Sequence, residues 1–107
     1  MNATQAQPSI DITRVTELEP WRAHLLAAAD YIEEKGWQRC SLGLPGGPRC
    51  VLGALTSVEH EAGGITNSAF YFARFLGRTV SAIGGWNDAP GRTQAEVVET
   101  LRRCALQ

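Results

Sequence analysis

The chain has 107 residues, 44% of them hydrophobic and 20% charged, with a formal net charge of −1. This size and composition allow one domain with its own hydrophobic core, and they exclude a wholly disordered protein. The sequence has neither the basic stripe of a general nucleic-acid-binding protein nor the long apolar run of a membrane span, so we predict neither function.

Residues 1–15 are small and polar, so we predict a flexible N-terminal tail there and a single helical domain over 16–107. The tail lacks the basic start and apolar stretch of a secretory signal, and we therefore expect a cytoplasmic protein with free thiols. The widely spaced cysteines, Cys40, Cys50 and Cys104, include no C-x-x-C pair. The sequence thus predicts no metal site and no cofactor.

The first predicted helix covers LEPWRAHLLAAADYIEEK and ends at Gly36. Thr16 and Glu19 fit a capping box, and Pro20 suits the first turn of a helix. Apolar residues recur at helical spacing and would form one buried face: Trp21, Leu25, Ala28, Ala29 and Ile32. The following WQRCSLGLPGG has no helical period, so we predict a loop or a short strand near Trp37–Leu42.

Three more helices are predicted further along the chain. The second runs from about Pro48 to Ala62, and the third runs from Asn67 or Ser68 to Gly77. TVSAIGG then adds one or two turns, and the last helix begins at a TQAE capping box, Thr93 to Glu96. The fold class is therefore mostly α: a compact bundle of about four helices with two ordered loops that contain Gly and Pro.

The first of these loops, GLPGGPR, leads directly into the second helix. Its flexible backbone amides at Gly46 and Gly47, together with Arg49 and the positive end of a helix dipole, suit a small anionic ligand. Cys50 would fall in the first helical turn, where the dipole stabilises a thiolate, and His24 is the candidate base. The alternative is a turn-rich connector with a small buried thiol.

The second loop, WNDAPGRT, contains Trp86, Asn87, Asp88 and Arg92, which are costly residue types for a plain connector. One interpretation is that side-chain hydrogen bonds to the backbone hold the turn and fix the last helix. The other is a polar ligand-binding site with an aromatic wall. Both interpretations place these four residues in one ordered segment.

Three ordered segments, LLAAADYIEEKGW, GGPRCVLGAL and WNDAPGRTQAEVVETLRRCA, together resemble a family of small bacterial and phage proteins with a domain of unknown function. The likeness covers roughly residues 22–105 and implies no established activity or catalytic residue. Relatives often have a cysteine directly after the Gly-Trp pair, where this chain has Gln38. WNDAPGRTQAEVVETL is also similar to part of the protease adaptor that recognises N-terminal degradation signals, which implies that Asn87 and Asp88 bind a peptide α-amine.

These patterns favour a non-enzymatic binding or accessory module that uses loops 43–50 and 86–92. Its partner would be a protein or a small anionic ligand. The alternatives are a thiol-dependent enzyme with Cys50 as nucleophile and a structural protein that forms a homodimer through its apolar third helix.

Overall fold

The computed structural model describes residues 19–39, 42–63 and 67–107. Within these ranges the chain forms five α-helices and one short 3-10 helix. They are α1 (Pro20–Lys35), α2 (Val51–Glu61), α3 (Ser68–Leu76), the 3-10 helix (Val80–Ala82), α4 (Ile83–Asn87) and α5 (Gln94–Ala105). The mostly α fold class is confirmed. The predicted tail, Thr16 and Cys40 lie outside the described residues.

Helix α1 is the central element of the bundle and packs mainly against α5 and α2. Its predicted buried face is confirmed for Leu25, Ala28, Ala29 and Ile32, whereas Trp21 is only partly buried. The predicted capping box is wrong, because Glu19 itself is the N-cap residue and its side chain makes no capping bond. The cause is Pro20, since a residue before proline avoids helical backbone angles and Glu19 is extended (ψ 143°).

Helix α2 begins three residues later than predicted, at Val51 instead of Pro48. The backbone of Arg49 is engaged elsewhere: its N–H donates to Gly36 and its carbonyl accepts from Gln38, each at 3.2 Å. These bonds form an isolated parallel bridge between Trp37 and Arg49. Within the described residues, the expected short strand is therefore only this bridge, and the chain turns helical only after Cys50.

The later helices match their predicted ends closely. Helix α3 ends at Leu76, and its C-cap residue Gly77 has a positive φ of 72°, a conformation that favours glycine. Helix α5 has both bonds of the predicted capping box between Thr93 and Glu96. TVSAIGG forms the 3-10 helix and most of α4. The short helix α4 is the reason why five α-helices are found where about four were expected.

One core joins these elements. Leu25, Leu55, Phe72, Ile83 and Leu101 are at most 2% exposed, so each main helix contributes a large buried side chain. In the described part of the chain, no helix has the length and hydrophobicity that a bilayer crossing requires.

Candidate functional site

The two loops that the sequence singles out lie side by side in the structure. Arg39, in the segment after α1, donates from Nη2 to the carbonyl of Arg92 at 2.8 Å and to that of Ala89 at 3.4 Å. Its guanidinium also lies over the Trp37 ring, 5.0 Å from the ring centroid. Trp37, in the same segment, pairs through its backbone with Arg49 of the first loop. The short segment after α1 therefore contacts both loops.

Asn87 is the central hydrogen-bonding residue between the loops. Its Oδ1 accepts from Trp37 Nε1 at 2.7 Å and from the backbone N–H of Val51 at 3.1 Å. Its Nδ2 donates to the carbonyl of Gln38 at 3.2 Å and to Asp88 Oδ1 at 2.9 Å. The side chain is 1% exposed, so its bonding capacity is used inside the protein. This arrangement leaves the Asn87 side chain buried between the two loops.

Trp86 and Arg92 also bind each other instead of pointing freely outward. Trp86 is 7% exposed, and its ring packs edge-on against Phe72 in the core. The Arg92 guanidinium lies 4.2 Å from the Trp86 ring centroid, while its Nε donates to the Trp86 carbonyl at 2.9 Å. Its Nη1 contacts Glu96 at 3.2 Å, at the start of α5. These contacts fix the segment to the last helix.

The predicted boundaries of the second loop need one correction. Trp86 and Asn87 are the last residues of α4, and Asp88 is its C-cap residue. The irregular part of the 86–92 segment is therefore confined to residues 88–92. The reason is that burying the Trp86 ring against Phe72 favours continuing the helix up to the buried Asn87.

The first loop, residues 42–50, is held in one conformation. Leu44 to Gly47 form a β-turn in which the Gly47 N–H donates to the Leu44 carbonyl at 3.0 Å. Pro45 and Gly46 occupy its two central positions, and the φ of +77° at Gly46 is typical of a type II turn. Gly46 and Gly47 thus shape the turn, and the left-handed position at Gly46 favours glycine.

Two residues of the bundle anchor this loop. Tyr31 donates its hydroxyl proton to the Gly47 carbonyl at 2.8 Å and accepts from Arg49 Nε at 3.0 Å. The Leu42 carbonyl passes so close to Gly53 of α2 that a Cβ added there would lie 2.0 Å from its oxygen. The Arg49 guanidinium is thus engaged in holding the loop, and the loop cannot shift without disturbing α2.

The fixed loop presents two leucines to solvent. Leu42 is 56% exposed and Leu44 is 78% exposed, although the carbonyl of each accepts a hydrogen bond, Leu42 from Arg49 Nη1 and Leu44 from the Gly47 N–H. Single exposed apolar residues are ordinary, but two on one rigid loop form a distinct surface. Sequence reasoning missed this pair, and its only available signal was the alternation of leucine with glycine and proline in LGLPGG.

The structure does not bring the candidate nucleophile and base together. Cys50 is the N-cap of α2, is 7% exposed, and accepts from the Gly53 N–H through Sγ at 3.5 Å. His24 lies instead 3.9 Å from Glu59, near the other end of α2. Cys50 and Glu59 are nine positions apart, which corresponds to about 14 Å along the helix axis.

His24 and Glu59 belong to a partly buried polar cluster that sequence reasoning did not find. Ser68, at the start of α3, is 0% exposed and donates its hydroxyl proton to Glu59 Oε2 at 2.7 Å. The cluster ties α1, α2 and α3 together. Across residues 19–39, 42–63 and 67–107, no three His, Cys, Asp or Glu side chains are grouped as metal ligands would be.

Comparison with known proteins adds one finding. Residues 16–107 match DUF6197, a family of unknown function. The chain belongs to this family. No curated protein and no solved structure matches it. The DUF6197 match spans the five described helices and both loops. The surface formed by residues 42–50 and 86–92, called the paired-loop surface below, is therefore part of the family domain.

The geometry of this DUF6197 domain determines which chemistry its loops offer. The polar side chains of the 86–92 segment are largely occupied by intramolecular bonds, and Arg49 of the first loop is bound to Tyr31. The exposed residues of the two loops are therefore uncharged: Leu42, Leu44, Pro45, Gly46, Pro48, Pro90 and Gly91. Such a surface suits apolar contact with another molecule better than proton transfer.

Proposed function

We propose that this protein is a non-enzymatic binding module whose ligand is another protein, and that its contact surface is the 42–50 loop beside the 86–92 segment. The observation that carries the proposal is the exposure of Leu42 and Leu44 on a loop with a fixed backbone. Burying those side chains in a partner would be favourable, at about 25 cal/mol per Å² of apolar surface removed from water.

The rigidity of the loop strengthens this proposal. Association is costly when loops must become ordered on binding, and a loop that is already ordered avoids much of that cost. Here Tyr31 and the Gly53 contact fix the backbone before any partner arrives. The 42–50 loop therefore has the ordered backbone that favours recognition of a partner.

The surroundings of the leucines favour a protein over a small anion. The Arg49 guanidinium already bonds Tyr31 and the Leu42 carbonyl, and Arg39 bonds two carbonyls of the neighbouring segment. An apolar centre with polar groups around it is the usual anatomy of a protein interface.

The experiment compares three versions of the full chain as bait in lysate of its own source organism. They are the wild type, Leu42→Ser/Leu44→Ser, and the control Leu106→Ser, which removes another exposed leucine (52%) just after α5. We expect a partner that binds the wild type and the control but is lost with the double variant. Titration of the purified partner then measures a loss of affinity of about tenfold or more.

Equal capture by the wild type and the double variant would refute the proposed surface. Circular dichroism of each bait checks that the helices are retained. Light scattering of the wild type and the double variant shows whether the partner is a second copy of the chain.

A further inference from the structure

A separate groove lies between the start of α1, the end of α3 and the end of α5, with a volume of about 250 Å³. It is lined by Trp21, Tyr71, Arg74, Phe75, Cys104 and Gln107. None of these residues belongs to the paired-loop surface, so the inference drawn from the groove does not depend on the proposed function.

Aromatic rings form a rigid wall of this groove. Trp21 and Tyr71 are stacked, with ring centroids 4.0 Å apart and an interplanar angle of 17°. The Arg22 guanidinium lies 4.3 Å from the Trp21 ring centroid, and it also donates to the Ala105 carbonyl of α5. Because Trp21 is held from two sides, the wall exists before any ligand binds.

The Trp21 indole nitrogen is buried, and within the described part of the chain its N–H has no hydrogen-bond acceptor. Buried N–H groups in native proteins nearly always have partners, because an unpaired one loses the hydrogen bond it made with water. This donor on a groove-lining residue is therefore a group that a bound acceptor would satisfy.

The groove has a positively charged side chain in its lining. Its lining includes the Arg74 guanidinium and no carboxylate side chain among the described residues. The Arg103 guanidinium lies 5.9 Å from the ring centroid of Phe75, another lining residue. Across residues 19–39, 42–63 and 67–107, neither Arg74 nor Arg103 forms an ion pair with a carboxylate.

We propose that the groove binds a small organic acid with a planar aromatic body. The aromatic wall would contact the ring of the ligand, Arg74 would pair with its anionic group, and an acceptor atom of the ligand would take the Trp21 N–H. The volume is slightly below that of pockets for drug-sized molecules, which limits the ligand to one or two fused rings.

The test uses 2-naphthoate as the probe and the full chain labelled with ¹⁵N. Naphthoate is titrated while the indole N–H signals are followed by NMR, and Trp21→Phe identifies the signal of Trp21. We expect a saturable downfield shift of that signal with a dissociation constant of about 1 mM or lower. No shift of the Trp21 signal at several millimolar naphthoate would overturn the proposal.

Calorimetry on variants separates this site from non-specific binding. Arg74→Gln should weaken naphthoate binding about tenfold, because a charge-assisted hydrogen bond is lost. The control Arg78→Gln removes an exposed arginine that lies just after α3 and does not line the groove, and it should change affinity less than about twofold. The uncharged 2-naphthamide should bind more weakly than naphthoate.

Equal losses in Arg74→Gln and Arg78→Gln would show general charge attraction and refute the site. Tight binding of naphthamide would refute the role of the anion. Self-association that Tyr71→Ala abolishes would show that a second copy occupies the groove, and this would also overturn the proposal. Thermal denaturation of each variant confirms that the fold is retained.

Discussion

The side-chain oxygen of Asn87 accepts a hydrogen bond of 2.7 Å from the indole nitrogen of Trp37, fifty residues earlier in the chain. The same oxygen accepts from the first amide of α2, so one buried atom joins the segment after α1, the start of α2 and the end of α4. The relative position of the two loops thus depends on this residue.

Replacing Asn87 with alanine should therefore destabilise the protein strongly. The variant leaves the Trp37 indole and the Val51 amide without their acceptor in a buried setting, and we expect a loss of about 2–4 kcal/mol in the free energy of unfolding. Urea denaturation, monitored by circular dichroism, measures this change in the free energy of unfolding. The control Asn67→Ala, at an exposed N-cap without a side-chain capping bond, should cost less than about 0.5 kcal/mol. Equal effects of the two changes would contradict the role of Asn87.

Gly53→Ala should also destabilise the protein, since the new methyl group would collide with the Leu42 carbonyl. We expect a cost of about 1–3 kcal/mol, the usual range for overpacking at a tight contact. Gly85→Ala is the matched control, because Gly85 lies within α4 with open space around its Cα. There alanine should stabilise the helix by about 0.5–1 kcal/mol. Thermal denaturation of both variants gives the comparison, and a harmless Gly53→Ala would refute the contact.

Tyr31→Phe should loosen the 42–50 loop more than the whole fold. The change removes the hydroxyl that bonds Gly47 and Arg49, with an expected cost of about 1 kcal/mol. Hydrogen exchange of the Gly47 amide, which closes the turn, should become faster. Tyr71→Phe is the same chemical change at a ring whose stacking on Trp21 does not require the hydroxyl, and Gly47 exchange should stay at the wild-type rate there. If Gly47 exchange does not change in Tyr31→Phe, the proposed anchor is wrong.

Cys104 should react slowly with alkylating reagents and should make stability depend on alkaline pH. Burial raises the pKa of its thiol to about 11, against a smaller opposing effect of Arg22. The thiolate is the reactive form, so iodoacetamide should modify native Cys104 far more slowly than free cysteine at pH 8. Peptide mapping by mass spectrometry measures this rate.

The sign of the pH effect follows from the same shift. The folded state holds the thiol proton more tightly than the unfolded state, so stability falls as the pH rises from about 9 towards 11. Cys104→Ala should lower stability at neutral pH, because it leaves a cavity, but should make the alkaline decline less steep. A decline of unchanged steepness in Cys104→Ala would show that other groups cause it.

Local patterns in the sequence predicted most of the fold. The buried face of α1 follows from apolar residues at helical spacing, and the Thr93–Glu96 capping box places the start of α5 correctly. The start of α2 was misplaced because it depends on a non-local contact. Pairing of Arg49 with Gly36 and Gln38 keeps the chain extended, and no pattern within residues 48–62 contains that information.

The candidate site shows the same difference between features that local sequence patterns reveal and features that depend on non-local contacts. Trp86, Asn87 and Arg92 stand out in the sequence as unusual loop residues, and they do lie at the junction of the two loops. The sequence does not show whether such side chains face a ligand or one another. Tyr31 and Gly53, which fix the first loop, look like ordinary residues of amphipathic helices, and only the fold brings them to that loop.

The turn at Pro45–Gly46 has one consequence for engineering. The segments before and after the turn are both held in place. Leu42, before the turn, packs closely against Gly53, and Arg49, after it, pairs with Gly36 and Gln38. At the tip itself, a Cβ added to Gly46 would meet nothing within 4 Å. Lengthening such a hairpin-like tip costs little, because the closure entropy grows only with the logarithm of the number of residues added. Foreign peptides grafted between Pro45 and Gly46 would thus be displayed from a firm base, making this small bundle a scaffold for presenting epitopes.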